Sequence, residues 1–360
     1  MLIRHYRSIM GSPLLLMVHL GTPTREEFLV TTDEASNAAP QDPPHGFPLP
    51  GSGAPVVAVP APGDGPGYWA GSSSAALDED GSFVIGYRLR HGHHGITETV
   101  IARSEDAERF STVATLEQSE FGAKSMERPS LIRTETGRWR LYVCCADPGS
   151  AHWWIEAIDA DEPEGFAAAN ARTVFPGDRL TGVKDPLVQR TSQGWRAWIC
   201  CHLLDEPGEE DRMYTAYATS ADGLRWEWRG TALQGRPGRW DARGTRVTAV
   251  LPDGRAAYDG RATAEENWFE RTGLAYQTGE PGRLRQADRE PVDVRYLDVL
   301  PLQDGGFRIY YEARLPDESH ELARNSSRSN QDMDRSLAKG RMQPARQRGP
   351  SLGVPPSRRR

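Results

Sequence analysis

The chain has 360 residues, of which 38% are hydrophobic and 26% charged, with a formal net charge of −7. That length can bury a substantial core, and no run of about 18 apolar residues offers a membrane-spanning helix. The acidic balance argues against a nucleic-acid partner, which needs a basic face, and 36 Gly with 27 Pro demand many turns without implying a wholly disordered chain.

At the N-terminus, Arg4, His5 and Arg7 precede an apolar run broken by Pro13, with no clean small-residue cleavage site after it, so the chain is read as cytoplasmic rather than secreted. Residues 35–67 are rich in Pro, Gly, Ala and Ser, which is linker composition. A disordered N-terminal extension is therefore expected over 1–55, with the folded body over 56–322.

Within the body, a turn followed by an alternating, aromatic-rich strand recurs five times. It begins with Gly81-Ser82-Phe83-Val84-Ile85, recurs at Gly137-Arg138-Trp139 and Gly194-Trp195-Arg196-Ala197-Trp198, then at Gly254-Arg255-Ala256, and ends with Gly305-Gly306-Phe307-Arg308-Ile309. The turn glycines are 56, 57, 60 and 51 residues apart. Large side chains at every second position mark strands, and Asp-Gly pairs before several of them are hairpin chemistry. Five repeats of this length predict an all-β, five-bladed β-propeller of four-stranded blades. The same Ser-x-Asp turn is expected at Ser104 and Ser220. Cys144-Cys145 and Cys200-Cys201 read as small buried residues, since neighbours on a strand face opposite ways. From Arg324 onward ten Lys/Arg face two acids, a net +8 that leaves −15 on the rest; residues 323–360 read as a disordered basic tail.

In a propeller, residues just before each hairpin face the channel mouth. Eight positions before Gly137 and Gly194 stand Pro129 and Pro186, making Arg128-Pro129 and Asp185-Pro186 equivalent slots. The other repeats place Ser72-Ser73, Thr245-Arg246 and Tyr296-Leu297 there.

The five hairpins, Val183-Lys184-Asp185-Pro186 and Tyr258-Asp259-Gly260-Arg261 resemble the five-bladed propeller glycosidases of the arabinanase and β-xylosidase type (glycoside hydrolase family 43) and the invertase type. The resemblance spans Val56 to Leu322. It implies cleavage of a glycosidic bond, with an acidic base or nucleophile in the first blade, an Asp-Pro in the third that tunes the acid, and a Glu acid in the fourth. Only Asp185 carries over. The first slot holds Ser72 instead of an acid, and the fourth offers only Asp241.

The catalytic candidates are thus Asp185, Glu127 and Asp241, with Asp185 holding the sugar or tuning the acid and Glu127 or Asp241 donating the proton. Candidate substrate contacts are Trp69, Ser72, Arg128, Lys184, Arg243, Asp259, Arg261, Arg295 and Glu312. Asp241 and Asp259 could equally be salt-bridge or turn residues, and Glu312 could pair with Arg314. The basic slots Arg128, Lys184, Arg243, Arg246 and Arg295 could merely neutralise Glu127, Asp185 and Asp241; if Arg128, Lys184, Arg243 and Arg295 converge on one mouth, a phosphate, sulfate or sugar carboxylate is expected among them. Similar propellers include mannoside phosphorylases, in which phosphate is the nucleophile. The reading is therefore a glycoside hydrolase-like enzyme for an oligosaccharide or smaller substrate, or alternatively a glycoside phosphorylase, or a non-catalytic carbohydrate-binding propeller. No cofactor or metal is called for; His91-Gly92-His93-His94 reads as a loop.

Overall fold

A computed structural model describes residues 47–50 and 55–327. The expected extension up to residue 46 and the basic tail from 328 lie outside the described residues. The regular structure described is all β apart from short 3-10 turns.

After β1 (Val56–Val59), the strands form five successive antiparallel groups, which parallel bridges between Trp69 and His320 and between Met213 and Gly244 join into three sheets. The first contains β2 (Tyr68–Leu77), β3 (Phe83–His91), β4 (Thr97–Ser104) and β5 (Ser111–Glu117). In the second, β6 (Ser125–Met126) and β7 (Ser130–Arg133) both pair with β8 (Trp139–Ala146), followed by β9 (Trp153–Ala160) and β10 (Arg172–Phe175). The third runs through β11 (Thr181–Thr191), β12 (Gly194–Leu203), β13 (Met213–Ser220) and β14 (Glu227–Leu233). The fourth comprises β15 (Gly244–Val250), β16 (Arg255–Arg261), β17 (Arg271–Gln277) and β18 (Leu284–Gln286). The fifth has β19 (Arg295–Pro301), β20 (Phe307–Arg314) and β21 (His320–Ser327). Its fourth strand is β1, which returns to pair antiparallel with β21.

The five repeated glycines are the turns between the first and second strands of each group. All five have φ between 80° and 118°, a region costly to residues with a Cβ, which is why they leave a regular mark in the sequence. The leading strands meet in a closed cycle: β2 touches β7, β7 touches β11, β11 touches β15, β15 touches β19, and β19 touches β2. A separate apolar core lies between each pair of neighbouring groups. Trp139 and Val143 of β8 pack toward the first group with Val84 and Ile101, whereas Tyr142 and Cys144 pack toward the third with Val188 and Ile199. Alternate residues of one strand thus serve two cores, so β8 is buried along its whole length.

The same alternation separates the cysteines. Cys144 enters one core and Cys145 the other, and all four cysteines are free and buried. The Ser-x-Asp turns recur, Ser104 donating to Asp106 at 2.9 Å and Ser220 to Asp222 at 3.0 Å. Two boundaries differ from the sequence reading. Phe47, expected in the extension, is buried against Ala249, Leu251 and Leu297, and β21 continues past residue 322 to Ser327.

Candidate active site

The leading strands break register where the slots were counted. Pairing with the second strand shifts between Gly71 and Ser74, Lys184 and Leu187, Val247 and Ala249, and Arg295 and Asp298. In the second group, the strand is interrupted outright at Glu127-Arg128-Pro129. Such bulges re-aim side chains beside functional sites. Ser72, Asp185 and Tyr296 adopt φ of 57°, 49° and 51°, a left-handed conformation costing about 1–2 kcal/mol at each non-glycine residue. The second strands answer with a ring of their own. Arg88, Cys144 and Glu312 each stand seven residues after their turn glycine.

These two rings converge on a charge network. Arg88 donates to Glu127 through one amino group and to Glu312 through the other, the latter at 2.7 Å. Arg90 takes the second Glu127 oxygen at 2.7 Å. Arg246 spans Asp185 at 3.1 Å and Asp259 at 2.8 Å, and donates to the Tyr296 hydroxyl at 2.9 Å. That hydroxyl lies 3.4 Å from both Glu127 and Asp185. The two carboxylate oxygens are therefore at most twice 3.4 Å apart. Lys184 Nζ stands 3.7 Å from Asp185, and Arg295 contacts both Glu312 at 3.5 Å and Glu270 at 3.4 Å.

Above the network opens a cavity of about 530 Å³, whose wall includes Arg90, Glu127, Lys184, Arg246, Arg295 and Tyr296. Trp268, 41% exposed, stands at its mouth with its carbonyl held by Arg295 at 2.8 Å. Its ring is 4.7 Å from His93 and 5.7 Å from Trp69, and Trp69 stacks on His320 at 4.8 Å. Flat rings at a polar cavity suit the apolar faces of sugars.

Burial would raise the Glu127 carboxyl, but Arg88, Arg90, Lys184 and Arg295 outweigh it and hold it well below the usual carboxylate range. Glu312 is likewise raised by burial and pulled far down by Arg88, Arg295 and His320. Burial also lifts Glu270, yet Arg295, Arg246 and Arg261 bring it to about 2. Asp259 goes the other way, because its burial exceeds the pull of Arg246.

The sequence candidates sort by place. Glu127, Lys184 and Arg295 line the cavity. Asp185, Asp259, Glu312, Ser72 and Trp69 are buried beneath it, with Ser72 donating to Glu312 at 3.4 Å. Arg261 is buried behind Glu270, donating to it at 2.9 Å. Glu312 pairs with Arg88, Arg295 and His320, and Arg314 turns to Asp293 instead.

Several expectations are corrected. Asp241 is fully buried outside the network, its carboxylate taken by Tyr258 at 2.8 Å and Arg236 at 3.0 Å. Arg128 spends its guanidinium on the Thr248 and Ser73 carbonyls, and Arg243 sits on Asp211 and Glu209. Guanidinium groups on both Glu127 oxygens favour its ionised form over the proton donor expected of it. The cavity cations already face carboxylates, Arg88 and Arg90 on Glu127, Lys184 on Asp185, Arg246 on Asp185 and Asp259, and Arg295 on Glu270 and Glu312.

Arg88, Arg90, Tyr296 and Glu270 were missed as site residues. Arg88 shares the seven-residue offset of Glu312, a signal open to counting. Tyr296 stands in a counted slot, but an aromatic in an apolar-looking strand reads as core.

No family model matches the chain, and no curated protein matches it. Solved structures do. A β-1,2-mannobiose phosphorylase from Listeria innocua superposes with a TM-score of 0.55 at 13% identity, over 75% of this chain and 92% of that one. The fold is that of the propeller glycosidases. A thermostable family-43 glycoside hydrolase gives 0.54 at 13% identity, over 71% and 88% of the two chains. A protein from the GH130 family of mannoside phosphorylases, which contains glycoside hydrolases targeting β-1,2-mannosidic linkages, gives 0.52 at 15%, over 80% and 96%. These likenesses establish the fold and leave the chemistry to the site.

Proposed function

We propose that the five strand groups are the blades of a five-bladed β-propeller, and that the chain cleaves a glycosidic bond at the cavity on its axis. The observation carrying this reading is the convergence of Glu127 and Asp185 on one hydroxyl at the cavity floor. Cleavage passes through an oxocarbenium-like transition state. The fixed negative charge of Glu127 stabilises that cation without reorganising, because Arg88 and Arg90 already orient both its oxygens. Trp268 and His93 offer ring faces for an adjoining sugar.

A second reading, phosphorolysis, is favoured by Arg90, Lys184, Arg246 and Arg295 on the same wall, since guanidinium groups suit tetrahedral oxyanions. The two part in their products. The purified protein is incubated with β-linked manno-oligosaccharides and a panel of aryl glycosides, with and without millimolar phosphate. Hydrolysis yields free sugar in both conditions; phosphorolysis yields sugar 1-phosphate only when phosphate is present. Calorimetric binding of an oligosaccharide with neither product leaves a carbohydrate-binding propeller.

A further inference from the structure

The cavity wall includes Tyr296, whose side chain ends in a hydroxyl rather than a carboxylate. Asp185, Asp259 and Glu312 form no part of that wall, whereas Tyr296, although only 1% exposed, does. Glu127 lines the cavity, but guanidinium groups hold both its oxygens, which weakens it as an attacking group. The Tyr296 hydroxyl lies between them. It accepts a hydrogen bond from Arg246 at 2.9 Å, and the Arg246 guanidinium stacks over the ring at 3.8 Å. The Tyr296 backbone N–H donates to Asp259 at 2.8 Å, and its φ is 51°. Left-handed non-glycine backbone clusters at functional sites, where the surroundings over-determine it.

We propose that Tyr296 is the catalytic nucleophile, with Asp185 as the base that takes its phenolic proton. The proposal rests on the glycosidase reading above. It follows the general pattern of a weak nucleophile within reach of a base that a third group orients; here Arg246 orients Asp185. In the first step the phenolic O–H breaks, and its proton passes to the Asp185 carboxylate. The phenolic oxygen bonds to the anomeric carbon as the glycosidic C–O bond breaks, and the leaving oxygen takes the bonding pair and then a proton from water. In the second step the hydroxide left by that water attacks the anomeric carbon, the sugar–tyrosine bond breaks, and the phenolate recovers its proton from Asp185. The sum is hydrolysis by one water. Burial pushes the Tyr296 hydroxyl well above its ordinary value despite Arg246, so the phenol needs this base at neutral pH.

The test uses wild type and Tyr296→Phe on a 2,4-dinitrophenyl glycoside panel, followed by trapping with the 2-deoxy-2-fluoro mannoside and glucuronide of the same leaving group. Expected is wild-type turnover, a loss of about a hundredfold or more in Tyr296→Phe at an unchanged melting temperature, and a sugar adduct mapped by peptide mass spectrometry to Tyr296. Should the variant misfold, the adduct on wild type decides. Turnover with the adduct on Glu127 or another carboxylate, or with none on Tyr296, overturns the nucleophile and leaves the glycosidase reading standing. Wild-type protein that turns over no member of the panel overturns that reading and this proposal with it.

Discussion

Asp298 sits on β19 with its carboxylate 3.9 Å from Arg128 and accepting the Ala75 N–H at 2.8 Å. Burial raises it to about 6 from an ordinary 3.8, against the opposing charge of Arg128. A carboxyl raised on folding adds stability that is complete below its unfolded value near 3.8 and is lost as pH rises through 6. Asp298→Asn keeps an acceptor for Ala75 and removes the titration. Relative to this variant, wild type should lose on the order of 3 kcal/mol at most between pH ~4 and ~7, read from denaturant midpoints. A pH-independent difference would contradict the assignment. Glu312 runs oppositely. Its depressed carboxyl supports the fold above the ordinary 4.5, and that support is lost as pH falls. Beside it, Gly71 has no room for a Cβ, which would collide with the Glu312 carboxylate. Gly71→Ala should therefore cost about 1–3 kcal/mol by overpacking, measurable as a lowered thermal midpoint.

At the scale of elements, the last group depends on a strand from the other end of the body. β1 covers the edge of β21 through Val56 and Val57, which pair with Arg324 and Ala323. Upstream, Phe47 fills the core between the fourth and fifth groups. An uncovered edge strand is a template for pairing with another chain. Truncation of residues 1–59 should thus lower the melting temperature and produce higher oligomers in light scattering. An unchanged melting temperature and scattering mass per chain would show that β1 seals nothing. The hairpins joining first to second strands were legible from sequence because each needs a positive-φ glycine. The outermost strands were not, since β10 and β18 are short and partly exposed, with no strict alternation to reveal them.

Across the whole molecule, the site is assembled from all five groups, which explains what counting could and could not find. Positions tied to the turn glycines by fixed offsets, Asp185 and Glu127 among them, were found. Asp241 was misread because a lone acid in the right slot looks the same whether its carboxylate meets a cavity or, as here, a tyrosine and an arginine. Which cation faces which anion depends on pairs up to 224 residues apart, such as Arg88 with Glu312, and no local pattern encodes such a match. In the proposed function this buried network performs glycosidic cleavage, and Asp185 is one of its fully enclosed members. Its removal is therefore the direct measurement: kcat of Asp185→Asn against wild type, on an aryl glycoside that wild type cleaves, with the thermal midpoint of both recorded. The expected result is a loss of about a hundredfold or more in a protein that remains folded. A folded variant that turns over at the wild-type rate would place the chemistry elsewhere.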